Sequence, residues 1–321
     1  MTAKPDPLYS LAGKRVWVAG HAGMVGRALM RRLAHEDCEV LTAGRDELDL
    51  RRQADVEAWL AENRPDAVIL AAATVGGIIA NDTRPAEFIY DNLAIEANVI
   101  HAARTAGVGK LLFLGAACMY PSLAPQPMAE ETLLSGPVEE TNQWYAIAKI
   151  AGLKMCQAYR TQYECDFIAA IPANLYGPGD NFDLEAGHVI PALMRKAHEA
   201  KRAGEATFEV WGSGKPKREF MYVDDLADAL VFLMTRYSNP APINVGTGEE
   251  VTIRELAETV ARTVGFTGEL SFDAGKPDGM ARKRLDNARM DGLGWTPNVS
   301  LAEGLARTYE WFVDNAAGDA A

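Results

Sequence analysis

Arg15-Val-Trp-Val-Ala19, running directly into Gly20-His-Ala-Gly23-Met-Val-Gly26, is the stretch whose reading decides the fold of this chain. The first five residues read as a buried strand, and Met24 to Leu33 reads as the amphipathic helix after it. Glycines between strand and helix permit a tight turn and bring backbone amides close to a pyrophosphate at the helix N-terminus. Working outward, Glu39 to Thr42, Ala67 to Ala72, Lys110 to Leu114 and Phe167 to Ile171 are further strands. Gln53 to Asn63, Phe88 to Thr105 and Thr141 to Tyr163 are the helices between them. This alternation predicts a doubly wound parallel α/β sheet, with ligands bound at the carboxyl ends of its strands.

Beyond Asn174 the chain becomes less regular and richer in Gly, Pro and charge, as a smaller ligand-shaping lobe would be. Met221 to Tyr237 and Ile243-Asn-Val-Gly246 are expected to return to the sheet. The expected division is therefore 1–174 with about 220–248 as the dinucleotide-binding domain, and 175–219 with 249–321 as the substrate-binding domain.

Tyr145-Ala-Ile-Ala-Lys149 places a phenol and an ammonium on one helix face. A nearby ammonium is expected to lower the phenol pKa, which makes a proton donor for a carbonyl becoming an alcohol. The dinucleotide loop would hold the hydride source. After the second strand, Ala43-Gly44-Arg45-Asp46 offers two readings: Arg45 suits the 2′-phosphate of NADP, and Asp46 suits the free ribose of NAD. Of these, NADP is favoured.

The 321 residues carry a net charge of −12, which provides no basic field for a nucleic acid or an anionic membrane. An anionic ligand must meet local Lys and Arg clusters, such as Lys215-Pro-Lys217-Arg218 and Arg282-Lys283-Arg284. The four cysteines lack metal-ligand spacing and suit a reducing cytoplasm, and no metal site is expected. The N-terminal residues have no apolar signal core, and no run is long enough to cross a bilayer.

The glycine loop combined with Tyr-x-x-x-Lys resembles the extended short-chain dehydrogenase/reductases, a Rossmann-fold family acting largely on nucleotide sugars. Longer segments resemble one branch of it, the GDP-L-fucose synthases. They include Ala72-Ala-Thr-Val-Gly-Gly-Ile78, Cys118-Met-Tyr-Pro121, Gln126-Pro-Met-Ala-Glu130, Asn174-Leu-Tyr-Gly-Pro178 and His188-Val-Ile-Pro-Ala-Leu193. Trp211-Gly-Ser-Gly214 and Lys276-Pro-Asp-Gly279 complete the set, so the likeness runs from about Lys14 to Asn315.

The resemblance implies 3,5-epimerisation of GDP-4-keto-6-deoxy-D-mannose followed by NADPH-dependent reduction at C4. It assigns epimerisation to Cys118 and His188, and reduction to Tyr145 and Lys149. It places NADP(H) against Gly20, Gly23, Met24, Val25, Gly26, Arg45, Ala72, Tyr145, Lys149, Asn174 and His188. It places the GDP-sugar against Lys196, Trp211, Arg218 and Lys283, and implies a homodimer joined through the two long helices. Asp224-Asp225 is read as structural.

One position departs from the pattern. The family carries Ser or Thr four residues before Tyr120, where it hydrogen-bonds the ketone; here that residue is Ala116, followed by Ala117. Losing one such donor costs about 10²–10³ in rate, so reduction is expected to be impaired or altered, unless water or a neighbouring hydroxyl such as Thr141 substitutes. Two other readings stay open: a related nucleotide-sugar epimerase or reductase, and a non-catalytic nucleotide-sugar binding protein.

Overall fold

The computed structural model describes residues 7–184, 187–276 and 278–316. Lys14–Ala19, Cys38–Leu41, Ala67–Leu70, Lys110–Leu114, Asp166–Pro172 and Ile243–Val245 form one sheet in which every pairing is parallel. Val16, Val18, Leu111, Leu112 and Phe113 are fully buried. Strands covered on both faces require such continuous apolar runs rather than alternation.

Lys14–Ala19 lies between Cys38–Leu41 and Ala67–Leu70, so the chain winds one way from it and then the other. Such a reversal opens a crevice at the carboxyl ends, where doubly wound sheets bind ligands. Two helical layers cover the sheet. Pro85–Thr105 packs against Gln143–Tyr163 and Gln53–Asn63, and Met24–Leu33 packs against Val223–Arg236.

Several element ends differ from expectation, and most of these differences shape the crevice. The strand expected over Ala67 to Ala72 stops at Leu70, because Ala71 and Ala72 turn into the crevice wall. The helix expected from Thr141 starts at Gln143, after a 3₁₀ turn over Glu140–Asn142. Met221 to Tyr237 divides into a strand, Phe220–Tyr222, and a helix, Val223–Arg236. That strand pairs in parallel with Asn174–Tyr176.

A second apolar core gathers Ile190, Leu193, Met194, Phe208, Val210, Leu256, Val260, Leu305 and Phe312. Its strands are short: Thr207–Trp211 pairs with Glu269–Asp273, and Lys217–Arg218 lies between Val251–Thr252 and Arg282–Lys283. The Ile253–Val264 helix is started by a capping box. The Thr252 hydroxyl accepts the Glu255 amide at 3.1 Å, and the Glu255 carboxylate accepts the Thr252 amide at 2.8 Å; such a cap is worth about 1 kcal/mol. Leu285, Met290 and Trp295 belong instead to the first core.

Asp224 and Asp225 have structural partners. Asp224 pairs with Arg31, and Asp225 accepts the Asn298 and Val299 amides. Pro277, within the Lys276–Gly279 segment, lies outside the described residues.

Candidate active site

A cleft of about 930 Å³ opens over the carboxyl edge of the sheet. Its first wall is the glycine loop. Gly20 has φ +93°, in the left-handed region, and a Cβ there would fall 2.6 Å from the Ala72 amide nitrogen. A Cβ on Gly26 would lie 2.1 Å from the Gly20 carbonyl oxygen, so only glycine lets the helix start this close to the strand. At Gly23 a Cβ would meet only the Gly20 oxygen, at 3.6 Å, and would otherwise project into open cleft.

Gly23 caps the Met24–Leu33 helix without a side-chain bond, and that helix has no acidic residue in its first turn. Its free amides and positive dipole end therefore face the cleft. The buried Nδ1 of His21 has no partner there either. A cradle that side chains at Gly20 and Gly26 would close, with orphan polar groups and no acidic residue in the first turn of the helix, fits a dinucleotide pyrophosphate.

Arg45 is exposed and borders the cleft, whereas Asp46 does not. Arg51 also borders it, but salt bridges to Asp49 at 2.7 Å and Asp91 at 3.2 Å occupy its guanidinium. This pairing holds the Asp49 carboxyl down to about 2. Opposite, Asn92 clamps the Ala71–Gly77 loop. Its carbonyl accepts the Thr74 amide at 3.0 Å, and its amide donates to the Thr74 carbonyl at 2.9 Å.

The residues singled out for chemistry border the same cleft: Ala116, Cys118, Tyr145, Lys149 and His188. Cys118 sits on a 3₁₀ turn just past the Lys110–Leu114 strand. Tyr120 anchors that turn by donating its hydroxyl to Asn244 at 2.6 Å. Burial raises the Cys118 thiol pKa, opposed by the positive charges of Lys283 and Lys149. His188 caps the Val189–Ala203 helix with backbone alone, and its ring faces the open cleft. Enclosure by the cleft walls, then Lys283, depress its imidazole pKa. Both groups therefore favour their neutral forms.

One expectation is reversed. The phenol of Tyr145 is pushed well above its usual range, first by burial and then by Cys118 and Glu96. Lys149 does not offset this, because its ammonium is paired with the buried Glu96 carboxylate at 3.1 Å. A phenol so held is a protonated donor rather than a phenolate.

Ala116 presents a methyl group where a hydroxyl was expected, and Ala117 beside it is buried. Thr141 does not substitute. Its hydroxyl is 2.5 Å from the Glu139 carboxylate, and the residue does not border the cleft. Asn142 does border it, and its carboxamide has no hydrogen-bond partner among the described residues. Asn142 and Glu139 line the cleft, and Asn92 and Glu96 lie behind its wall, and the sequence reading singled out none of the four. The position of Asn142, three before Tyr145, was its one available signal.

The far end of the cleft carries Lys196, Trp211, Arg218 and Lys283. The Trp211 ring lies under two ammoniums, Lys196 at 4.5 Å and Lys276 at 5.1 Å from its centroid. Burial lowers the pKa values of Lys196, Arg218 and Lys283, so this end gathers cations that gain from an anionic ligand. Asn174 faces the cleft with its amide held by the Glu219 carbonyl at 3.0 Å.

Residues 16–246 match the NAD dependent epimerase/dehydratase family. The chain is 58% identical to the GDP-L-fucose synthase of Sinorhizobium fredii, over 97% of this chain and 99% of that protein. The chain belongs to the GDP-L-fucose synthase family. The Escherichia coli GDP-L-fucose synthase is 52% identical over 95% of this chain and 98% of its own. The NADP-bound GDP-L-fucose synthetase of Naegleria fowleri superposes with a TM-score of 0.89 at 30% identity, covering 97% of this chain and 98% of that one. This family membership runs through both apolar cores, and the NADP-bound relative agrees with a cradle shaped for pyrophosphate.

Proposed function

We propose that this protein converts GDP-4-keto-6-deoxy-D-mannose to GDP-L-fucose by 3,5-epimerisation and NADPH-dependent 4-reduction. One observation carries the reading: the glycine loop with its free helix N-terminus shares one cleft with Tyr145, Lys149, Cys118 and His188. Gly20, Gly23, Gly26 and the Met24–Val25 amides would hold the pyrophosphate. Ala72 would support the adenosine side and Arg45 the 2′-phosphate, with Asn174 and His188 near the reacting end. Bound there, NADPH supplies hydride for C4.

The sugar ketone acidifies the protons at C3 and C5. Cys118 and His188 offer one transferable proton and one vacant acceptor, the complement that inversion through an enolate needs. Tyr145 donates its proton to the C4 oxygen during reduction. The Asn142 carboxamide takes the hydrogen-bonding role vacated at Ala116, since a preorganised amide donor serves an oxyanion as a hydroxyl does. Lys196, Arg218 and Lys283 hold the diphosphate, and Trp211 offers its face to the guanine.

The two-domain division, with 1–174 and about 220–248 binding the cofactor, is part of the same proposal. So is a homodimer, supported by the exposed Tyr90, Leu93, Trp144 and Ile147 on the two long helices. No helix among the described residues is long and apolar enough to cross a membrane, and a cytoplasmic site of action belongs to the proposal.

Incubation with the 4-keto sugar nucleotide and NADPH tests the reading. NADPH should be oxidised mole for mole with GDP-L-fucose formed. A 4-epimerised sugar with the cofactor returned unchanged, or tight binding without turnover, would replace it with one of the alternative readings.

A further inference from the structure

Beneath the cleft, the two long helices cross over a buried ion pair. Lys149 has 2% of its side chain exposed and Glu96 has 1%, and the ammonium lies 3.1 Å from Oε1. Both carboxylate oxygens are sealed from solvent, and neither makes a hydrogen bond of good geometry among the described residues. Burial raises the Glu96 carboxyl pKa, and the Lys149 charge beside it, then the Gly152 amide, oppose that rise. Two aromatic rings flank the ammonium, which sits 4.8 Å from the Phe113 ring centroid and 5.8 Å from that of Tyr145.

Room for the carboxyl is built into the partner helix. A Cβ on Gly152, one turn after Lys149, would fall 2.4 Å from Glu96 Oε2 and 2.6 Å from the Phe113 ring. Glycine is a poor helix former relative to alanine, and here it admits an acid that an apolar core would otherwise exclude. A structural reading of the pair is weak, because buried ion pairs rarely outperform apolar packing of the same volume.

We propose that Glu96 is a positioning residue for the reduction, holding Lys149 as an ammonium with its head fixed beneath Tyr145. The inference rests on Tyr145 and Lys149 being the reducing pair. An unpaired buried lysine loses its proton near pH 5–6 in documented cases, and the carboxylate opposes that loss. The other titratable groups facing the pair are Tyr145 and Cys156, which feel Glu96, and Cys118, which feels Lys149. Burial keeps all three neutral and also raises Glu96, so the 3.1 Å contact with the Lys149 ammonium is what holds the carboxylate ionised under the site.

The test compares wild-type enzyme, Glu96→Gln and Glu96→Asp, following reduction and solvent deuterium exchange at C3 and C5 from pH 5.5 to 9.5. Glu96→Gln should lose about 30-fold or more in the reduction kcat at pH 8.5 and regain most of it near pH 6, with its alkaline limb moved down by about one unit or more. Exchange should stay within about threefold, since Cys118 and His188 are untouched. Glu96→Asp, which keeps the charge, should retain the wild-type alkaline limb with a lower kcat.

Titration of Lys149 followed by NMR of its labelled Cε reads the pair without turnover. Loss of the proton should move well below its wild-type pH in Glu96→Gln, even if the substrate reading fails. An unshifted Lys149 titration, or a wild-type pH profile in Glu96→Gln with only a lowered Tm, would overturn the proposal. Should Glu96→Gln not fold, the neutral double variant Glu96→Gln/Lys149→Met should fold better than Lys149→Met alone. Equal stability of those two would overturn it as well.

Discussion

Gly23 and Gly26 stand three residues apart in one loop, yet alanine should harm them in opposite ways. At Gly26 the new Cβ would lie 2.1 Å from the Gly20 oxygen, 2.5 Å from His21 Cα and 2.6 Å from His21 C. All three are backbone atoms, so the helix must shift by about 1 Å from the strand to reach ordinary contact. Overpacking of this kind costs about 1–3 kcal/mol or more, which is several degrees of Tm for a chain of this size. At Gly23 the new methyl meets one atom at 3.6 Å and needs no shift. Folding should change by less than about 1 kcal/mol, the scale of a poorer N-cap. The methyl would, however, occupy the space where a phosphate must approach the helix amides. Each charge-assisted hydrogen bond lost there is worth about 1.5–3 kcal/mol, or ten- to a hundredfold in affinity. Ligand-free melting curves and NADPH fluorescence titrations separate the two effects. Gly23→Ala with unchanged Tm and wild-type NADPH affinity would refute a pyrophosphate on this loop.

Four further outcomes follow from the site. Arg45→Ala should weaken NADPH binding about ten- to a hundredfold and leave NADH nearly unchanged; wild-type dissociation constants for the two cofactors within twofold of each other would remove the 2′-phosphate contact. Tyr145→Phe should abolish most reduction, measured as NADPH loss, while deuterium exchange at C3 and C5 continues; loss of both would show that the half-reactions share their acid. Asn142→Ala should slow reduction by about 10²–10³, and adding Ala116→Ser in that background should restore much of it; turnover unaffected by Asn142→Ala would assign the donor role elsewhere. Burial raises the Asp180 carboxyl to about 7, against about 3.9 in an unfolded chain. The folded state therefore holds a proton that the unfolded state has lost between those values, and stability should fall as pH rises from about 4 through 7. Asp180→Asn should flatten that dependence and raise Tm at pH 8 relative to wild type.

The alternation of strands and helices was legible because the central strands are buried on both faces and written as near-continuous apolar runs, as in Ala67–Leu70 and Leu111 to Leu114, although the edge strand Cys38–Leu41 is only half-buried. The short strands of the second core were not. Thr207–Trp211 alternates exposed and buried residues, but over only five positions and with its partner Glu269–Asp273 about sixty residues away, and Lys217–Arg218 spans only two residues and has no period at all.

The site divides along the same line. The glycine loop and the Tyr145/Lys149 spacing are local patterns, and local geometry brings each together. The charge state of that pair is not local. Burial of the phenol, then Cys118 and Glu96, raise its pKa, while Glu96, from another helix, takes the ammonium that was expected to lower it. Asn142 was hidden for a related reason: only the folded turn frees its carboxamide and faces it to the cleft, while Thr141 next to it is consumed by Glu139.

One cleft is proposed to perform both epimerisation and reduction. The most direct measurement is NMR of the product formed from GDP-4-keto-6-deoxy-D-mannose and NADPH in deuterated water. The product should be GDP-L-fucose carrying deuterium at C3 and C5 and none at C4, where the hydrogen arrives as hydride from the cofactor. A 4-reduced product with protium retained at C3 and C5 would contradict it, because Cys118 and His188 would then have exchanged nothing.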